Sequence, residues 1–112
     1  MRKKYYHCKL IPNDEQDIKT YEKPIEKWGN YQPLSGYLDV AMYGKDVGNR
    51  WRLVVPYASN KTEFSVGDLL YLDDVEPDLT KENGVDANAV ITAVLKGFTA
   101  INIEIESVIP RL

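Results

Sequence analysis

Within Phe98 to Glu106, apolar and polar residues alternate without a break from Ile101 onward, and a two-residue period admits a strand and little else. Ile101, Ile103 and Ile105 face one way, while Ala100, Asn102, Glu104 and Glu106 face the other. Branched apolar residues on one side and polar ones on the other describe a strand laid over a core. Just upstream, Ala89 to Leu95 reads as a second strand rich in Val, Ile and Thr. Lys96-Gly97 between them predicts a two-residue turn in which the glycine supplies a positive φ, so the pair is expected to be a β-hairpin.

The same period recurs along the chain. Arg50 to Pro56 alternates for its first four residues, with Trp51, Leu53 and Val55 as the inward set and Pro56 expected to end the ladder. Leu69 to Leu72 is a short apolar strand entered through the turn Val66-Gly67-Asp68. Tyr5 to Ile11 and Ile25 to Gln32 are further strands, closed by Pro12 and Pro33. Gly36 to Tyr43 is ambiguous between strand and helical turn, and Asn13 to Tyr21 offers a short helix at most. The expected fold is all-β: a small antiparallel β-barrel or sandwich of six to seven short strands with long loops. At 112 residues, with no repeat and no Pro/Gly-rich linker, a single domain over residues 1–112 is expected.

Catalysis needs converging titratable or metal-binding groups, and the chain offers few. His7 and Cys8 are the only residues of their types, and as strand neighbours they point to opposite faces. The reading favoured is Cys8 as a small core residue and His7 on the surface. One Cys and one His do not fill a zinc site. Asp74-Val75-Glu76-Pro77-Asp78 lacks the glycine and terminal glutamate of a calcium loop. No phosphate-binding or nucleophile-elbow motif occurs, and Gly44-Lys45-Asp46-Val47-Gly48 has the wrong spacing for a phosphate cradle. No enzymatic activity, cofactor or metal is expected. The lone cysteine points to a reducing compartment or to a protein indifferent to redox state, and no apolar run reaches the roughly 18 residues of a membrane span.

Charge is distributed unevenly. From Asp73 to Asn88 the acids Asp73, Asp74, Glu76, Asp78, Glu82 and Asp86 stand against Lys81 alone, a net −5. The chain as a whole carries −3, which leaves +2 elsewhere and no basic footprint for phosphate. This 16-residue segment exceeds most connections in small domains, so it is expected to be a separable docking loop. Tyr31, Tyr37, Tyr43 and Tyr57 surround the middle loops, either as interface residues or as fillers of the barrel ends.

Several features taken in order resemble the small head–tail connector proteins of tailed bacteriophages, also called head-completion or stopper proteins. Glu26-Lys27-Trp28 leads to Asn30-Tyr31-Gln32-Pro33-Leu34-Ser35-Gly36, similar to that family's Ile-Gln-Pro-x-Ser-Gly strand, with Tyr31 in the aliphatic place. Trp51 to Val55, Val66-Gly67-Asp68 with Leu69 to Leu72, and the hairpin ending at Ile105 follow in order, over about residues 5 to 108. The resemblance implies a virion protein, assembled in host cytoplasm, that forms a ring of twelve copies below the portal or its adaptor. Such a ring retains packaged genomic DNA, which passes through it, and presents a face to the tail, with no membrane involved. It further implies that residues 35–49 face the ring interior, making Ser35, Gly36, Tyr37, Tyr43, Lys45 and Asp46 the candidate pore or interface loop. The stopper and tail-completion subtypes both remain open.

One rival is a monomeric SH3-like or oligonucleotide-binding-fold module for peptide or nucleic acid, which also uses a Val-Gly-Asp turn; the other is a non-catalytic subunit or accessory domain of an enzyme. A nucleic-acid version needs a basic stripe interleaved with aromatics. Arg50 and Arg52, on one strand face, offer a small patch at best.

Overall fold

A computed structural model describes residues 2–12, 20–34, 50–57, 63–81 and 83–108. Every strand expected above is present among them. In chain order they are β1 (Lys3–Cys8), β2 (Leu10–Ile11), β3 (Thr20–Tyr21), β4 (Ile25–Gly29), β5 (Tyr31–Pro33), β6 (Arg50–Pro56), β7 (Leu69–Tyr71), β8 (Ala89–Lys96) and β9 (Ala100–Ser107). The segment expected as a short helix yields Thr20–Tyr21 as strand, and its residues 13–19 lie outside the described residues, as does Gly36 to Tyr43.

Seven strands form one antiparallel sheet in the order β4-β1-β7-β8-β9-β6-β5, and β2 and β3 form a separate pair. The two outermost strands of the large sheet, β4 and β5, are consecutive in the chain with only Asn30 between them. One bent strand therefore pairs with β1 through its first half and with β6 through its second. That continuity nearly closes the sheet into a barrel and pairs both of its outermost strands. The bend falls at Gly29, where a Cβ would stand 3.1 Å from both Leu53 Cδ1 and Tyr5 Cε1, so the backbone passes directly over core side chains.

The core is the set the alternation picks out. Ile101, Ile103 and Ile105 are buried, with Leu53 and Val55 from β6, Ile91 from β8 and Tyr5 from β1. Trp51 is half-buried against them. Each fully buried aliphatic side chain contributes about 1.5–3 kcal/mol. Pro56 is the last residue of β6, paired with Ala100 at the end of the ladder.

Two expectations need correction. The hairpin is present, but Lys96 still belongs to β8 and pairs with Ile101, so the connection is Gly97 to Thr99. Gly97 does not have a positive φ; a Cβ there would lie 3.1 Å from the Ala100 carbonyl oxygen, a tight approach that a glycine avoids. His7, expected on the surface, is 1% exposed, because it shares the inward phase of Tyr5 two residues earlier. Cys8 faces the opposite way, as expected, and is also buried, beneath residues that cover the barrel from outside.

That outer cover is a second, smaller core. Cys8, Tyr71 and Ala87 are its buried members, and Tyr6, Tyr21, Leu69 and Val75 pack against it. Burial raises the thiol pKa of Cys8 above its ordinary value.

Candidate functional site

Register fixes which connections share an end of the barrel. β1 begins at Lys3 opposite the end of β4, and β6 begins at Arg50 opposite the end of β9. β8 begins at Ala89 opposite Ser107, and β7 ends at Tyr71 opposite Tyr6. The end of β5, the start of β6 and the root of the 72–88 connection after β7 therefore share one end. The β8–β9 hairpin tip lies at the other. Ser35, Gly36, Tyr37, Tyr43, Lys45 and Asp46 are themselves outside the described residues; their anchors, Leu34 and Arg50, are joined by Leu34 N–H donating to the Arg50 carbonyl at 3.0 Å.

The two segments are tied together at their roots. Tyr31 is buried to 1%, and its phenol reaches the acidic loop. Tyr31 Oη accepts the Asp73 N–H at 2.8 Å and donates to Asp73 Oδ1 at 3.3 Å. Burial, and then the Asp73 carboxylate, raise the Tyr31 pKa, so the phenol keeps its proton. An aliphatic residue at position 31 would fill the core but leave Asp73 N–H without this acceptor. Beside this junction Lys3, Lys4, Trp28, Tyr31, Asp73 and Asp74 line an open groove of about 530 Å³. Trp28 is 55% exposed there, and Lys3 lies 5.0 Å from the centre of the Tyr31 ring.

The acidic loop is folded onto the barrel rather than projecting freely. Asn88 closes its neck: its Oδ1 accepts Leu72 N–H at 2.8 Å and its Nδ2 donates to the Leu72 carbonyl at 3.0 Å. Tyr71 Oη donates to the Val85 carbonyl at 2.6 Å, and burial pushes its pKa up to about 12. Val75 and Ala87 belong to the outer core. Glu76 pairs with Lys4 at 3.3 Å and Asp86 with Lys81 at 3.5 Å. Asp78 accepts from the Thr80 hydroxyl at 2.6 Å and the Thr80 N–H at 2.9 Å, contacts that lower its pKa. Asp74 is exposed, and Glu82 lies outside the described residues. The expectation of a separable loop is thus revised. Deleting it would uncover Cys8 and Tyr71 as well as remove charge.

Backbone strain marks the start of this loop. Val75 N–H bonds to the Leu72 carbonyl at 3.3 Å, and the two residues between have φ of 57° (Asp73) and 65° (Asp74). This is a type I′ turn, which ordinarily places glycine second. Asp74→Gly is therefore expected to raise stability by about 1 kcal/mol, read as a higher urea midpoint with unchanged slope. An unchanged or lower midpoint would contradict this geometry.

The polar cluster that sequence reasoning missed sits inside the barrel at the opposite end. His7 Nε2 lies 2.7 Å from Asp68 Oδ2, and both side chains are essentially inaccessible. Asp68 also accepts Leu10 N–H at 2.9 Å on Oδ1 and Ser65 N–H at 3.0 Å on Oδ2. Lys27 Nζ lies 2.9 Å from His7 Nδ1 and donates to Glu63 Oε1 at 2.7 Å. An ammonium has only hydrogens to give, so Nδ1 is the ring's acceptor and Nε2 carries the hydrogen donated to Asp68. The His7 ring stacks on Phe64 at 4.7 Å between centroids, and Lys27 Nζ stands 4.5 Å from the same ring. Burial opposes the charge on Asp68, but the His7 hydrogen bond and the two backbone donors outweigh it and hold its pKa below the ordinary value. The Lys27 hydrogen bond lowers Glu63 likewise.

Both ring nitrogens are occupied and the ring is sealed, so this arrangement locks β1, β4 and the turn before β7 together. Among the described residues no group of three or more His, Cys, Asp or Glu side chains converges to hold a metal ion. No helix among them is long and apolar enough to cross a membrane. No protein family, curated protein or solved structure matches the chain.

Proposed function

We propose that this chain is a non-enzymatic structural subunit of a phage or prophage virion, a head–tail connector of the head-completion or stopper kind. It forms a ring below the portal, retains packaged DNA and docks the tail. The observation that carries this reading is that Leu34 and Arg50, the described residues on either side of 35–49, stand at the same barrel end as the acidic loop, where Tyr31 of β5 is bonded to Asp73. A subunit with that design offers one composite face, aromatic and charged, to a neighbour above or below. The excess of acid in the loop suits contact with proteins beside passing DNA, since carboxylates repel phosphates.

The distribution of cations favours this over the nucleic-acid module. Arg50 stands opposite Glu106 in register and forms an ion pair with it at 3.8 Å, and Arg52 stands opposite Glu104. The one basic pair on a strand face is thus matched by acids rather than left as a stripe for phosphate.

Deleting the coding sequence from the phage or prophage that carries it tests the proposal. The expected result is heads that package DNA but neither keep it nor join tails, with ring density missing below the portal in electron micrographs. Infectious particles made without the chain would overturn it. Tight, salt-dependent binding of DNA oligonucleotides by the purified chain would favour the rival.

A further inference from the structure

At the hairpin end the strands β6, β9 and β8 outrun their neighbours. β7 pairs with β8 only at Leu69–Val90 and Leu70–Ala89. Two more bonds extend that lane: Gly67 N–H to the Ile91 carbonyl and Ile91 N–H to the Asp68 carbonyl, each 2.9 Å. After a bulge between Ile91 and Ala93, residues 93–96 pair with β9 on one side and have no backbone partner on the other among the described residues. Gly97 N–H donates to the Ala100 carbonyl at 2.9 Å, so Gly97 turns its peptide groups toward β9. Those directions alternate along an antiparallel strand, which turns the N–H and C=O of Lys96 and Val94 to the open side.

Apolar surface adjoins this open edge. Phe98 at the tip is 103% exposed and Leu95 is 54% exposed. Val54, 47% exposed, shares the outer row of Leu95 through Asn102. Natural edges are blunted by charge, and Lys96 alone does not offset a fully exposed phenylalanine.

We propose that this edge is a docking site for an extended segment of another protein, added to β8 as a further strand. The segment carries apolar side chains at alternate positions, against Leu95 and Phe98, and a carboxylate beside Lys96. Two donors and two acceptors repeated every second residue match an extended backbone. A second copy pairing β8 to β8 about Leu95 fits poorly. Its Gly97 to Thr99 would run opposite residues 93 to 91, into the lane that Gly67 and Asp68 already occupy. The open stretch is four residues long, which suits a flexible segment better than the side of a folded barrel. The inference stands on this edge and not on the ring reading.

NMR on the isotope-labelled full chain tests it, with an acetylated octapeptide of alternating valine and threonine carrying one glutamate as the probe. Without peptide, the Val94 and Lys96 amides are expected to exchange with solvent at least about tenfold faster than those of Ala93 and Leu95. With peptide, shifts are expected at Val94 to Phe98, and exchange of the Val94 and Lys96 amides slows by about tenfold or more. Phe98→Asp, at a tip the fold does not need, and Val94→Pro, which removes an outward N–H, are each expected to weaken binding about tenfold. Shifts elsewhere, or binding indifferent to both variants, would overturn the proposal. So would concentration-dependent shifts of these residues without peptide, which would mark self-association, or absence of peptide binding.

Discussion

Replacing Asp68 with asparagine is expected to destabilise the protein by about 2–4 kcal/mol, since it leaves one or two buried donors without an acceptor at about 1–3 kcal/mol each. The carboxylate accepts three hydrogen bonds, from His7, Leu10 and Ser65, at a site with no solvent access. An asparagine keeps one acceptor oxygen. If that oxygen serves Leu10, its amide nitrogen faces the donors of Ser65 and His7; if it serves Ser65 and His7, the nitrogen faces Leu10. His7 has no easy tautomeric escape, because moving its hydrogen to Nδ1 would aim it at Lys27 Nζ. Urea unfolding of the single variant measures the cost, and the double variant with Lys27→Leu measures the coupling. Once Lys27 is gone the imidazole is free to present a lone pair to the new amide, so the two costs are expected to fall short of additive. A cost below about 1 kcal/mol for Asp68→Asn alone would show that the cluster does not hold the barrel end together.

The same carboxylate makes stability depend on acid. Its folded-state pKa lies below the ordinary value of 3.8, so its contribution is fully present above that value. The contribution is lost as pH falls through the lower folded-state pKa, because the unfolded chain then takes up the proton more readily. Glu63, lowered from 4.5 through Lys27, acts in the same direction on a more exposed site. Urea midpoints should therefore fall below about pH 4 in the natural chain, and Asp68→Asn should flatten that part of the profile. A flat profile in the natural chain would contradict the pairing.

The strands were legible because alternation reports burial directly. Ile101, Ile103 and Ile105 carry the signal without interruption, and β9 is paired along its length with β8 and β6. Closure was less so. Nothing in Gly29-Asn30 announces that one strand serves both edges of the sheet; the close approaches that a Cβ there would make are to Leu53 and Tyr5, remote in sequence. His7 was misplaced because polar character outweighed phase, although Tyr5 and His7 share a face and a buried histidine needs only two partners. Those partners, Asp68 and Lys27, are 61 and 20 residues away. The acidic loop read as solvated charge since its apolar contributions, Val75 and Ala87, are too few to show a period. The joint between Tyr31 and Asp73 pairs a core ring with a surface acid, and only tertiary structure brings them within reach.

Ile103→Ala carries the other large effect, a loss of about 2–5 kcal/mol, and the residue beside it serves as the control. Ile103 is 0% exposed, pairs with Leu53 on one side and Val94 on the other, and sits in the middle of the closed sheet. β9 is held by ladder bonds on both sides, to β6 and to β8, so it cannot slide inward to fill the space of the lost side chain without breaking them, which places the cost toward the upper half of that range. Glu104 points outward opposite Arg52 and is half-buried. Glu104→Ala removes a partly solvated charge across from a cation, an interaction worth about 0–1 kcal/mol. The contrast between adjacent positions is what urea unfolding should resolve. Comparable losses would mean that the two faces of β9 are buried alike and that the barrel interior does not lie where Ile101, Ile103 and Ile105 point.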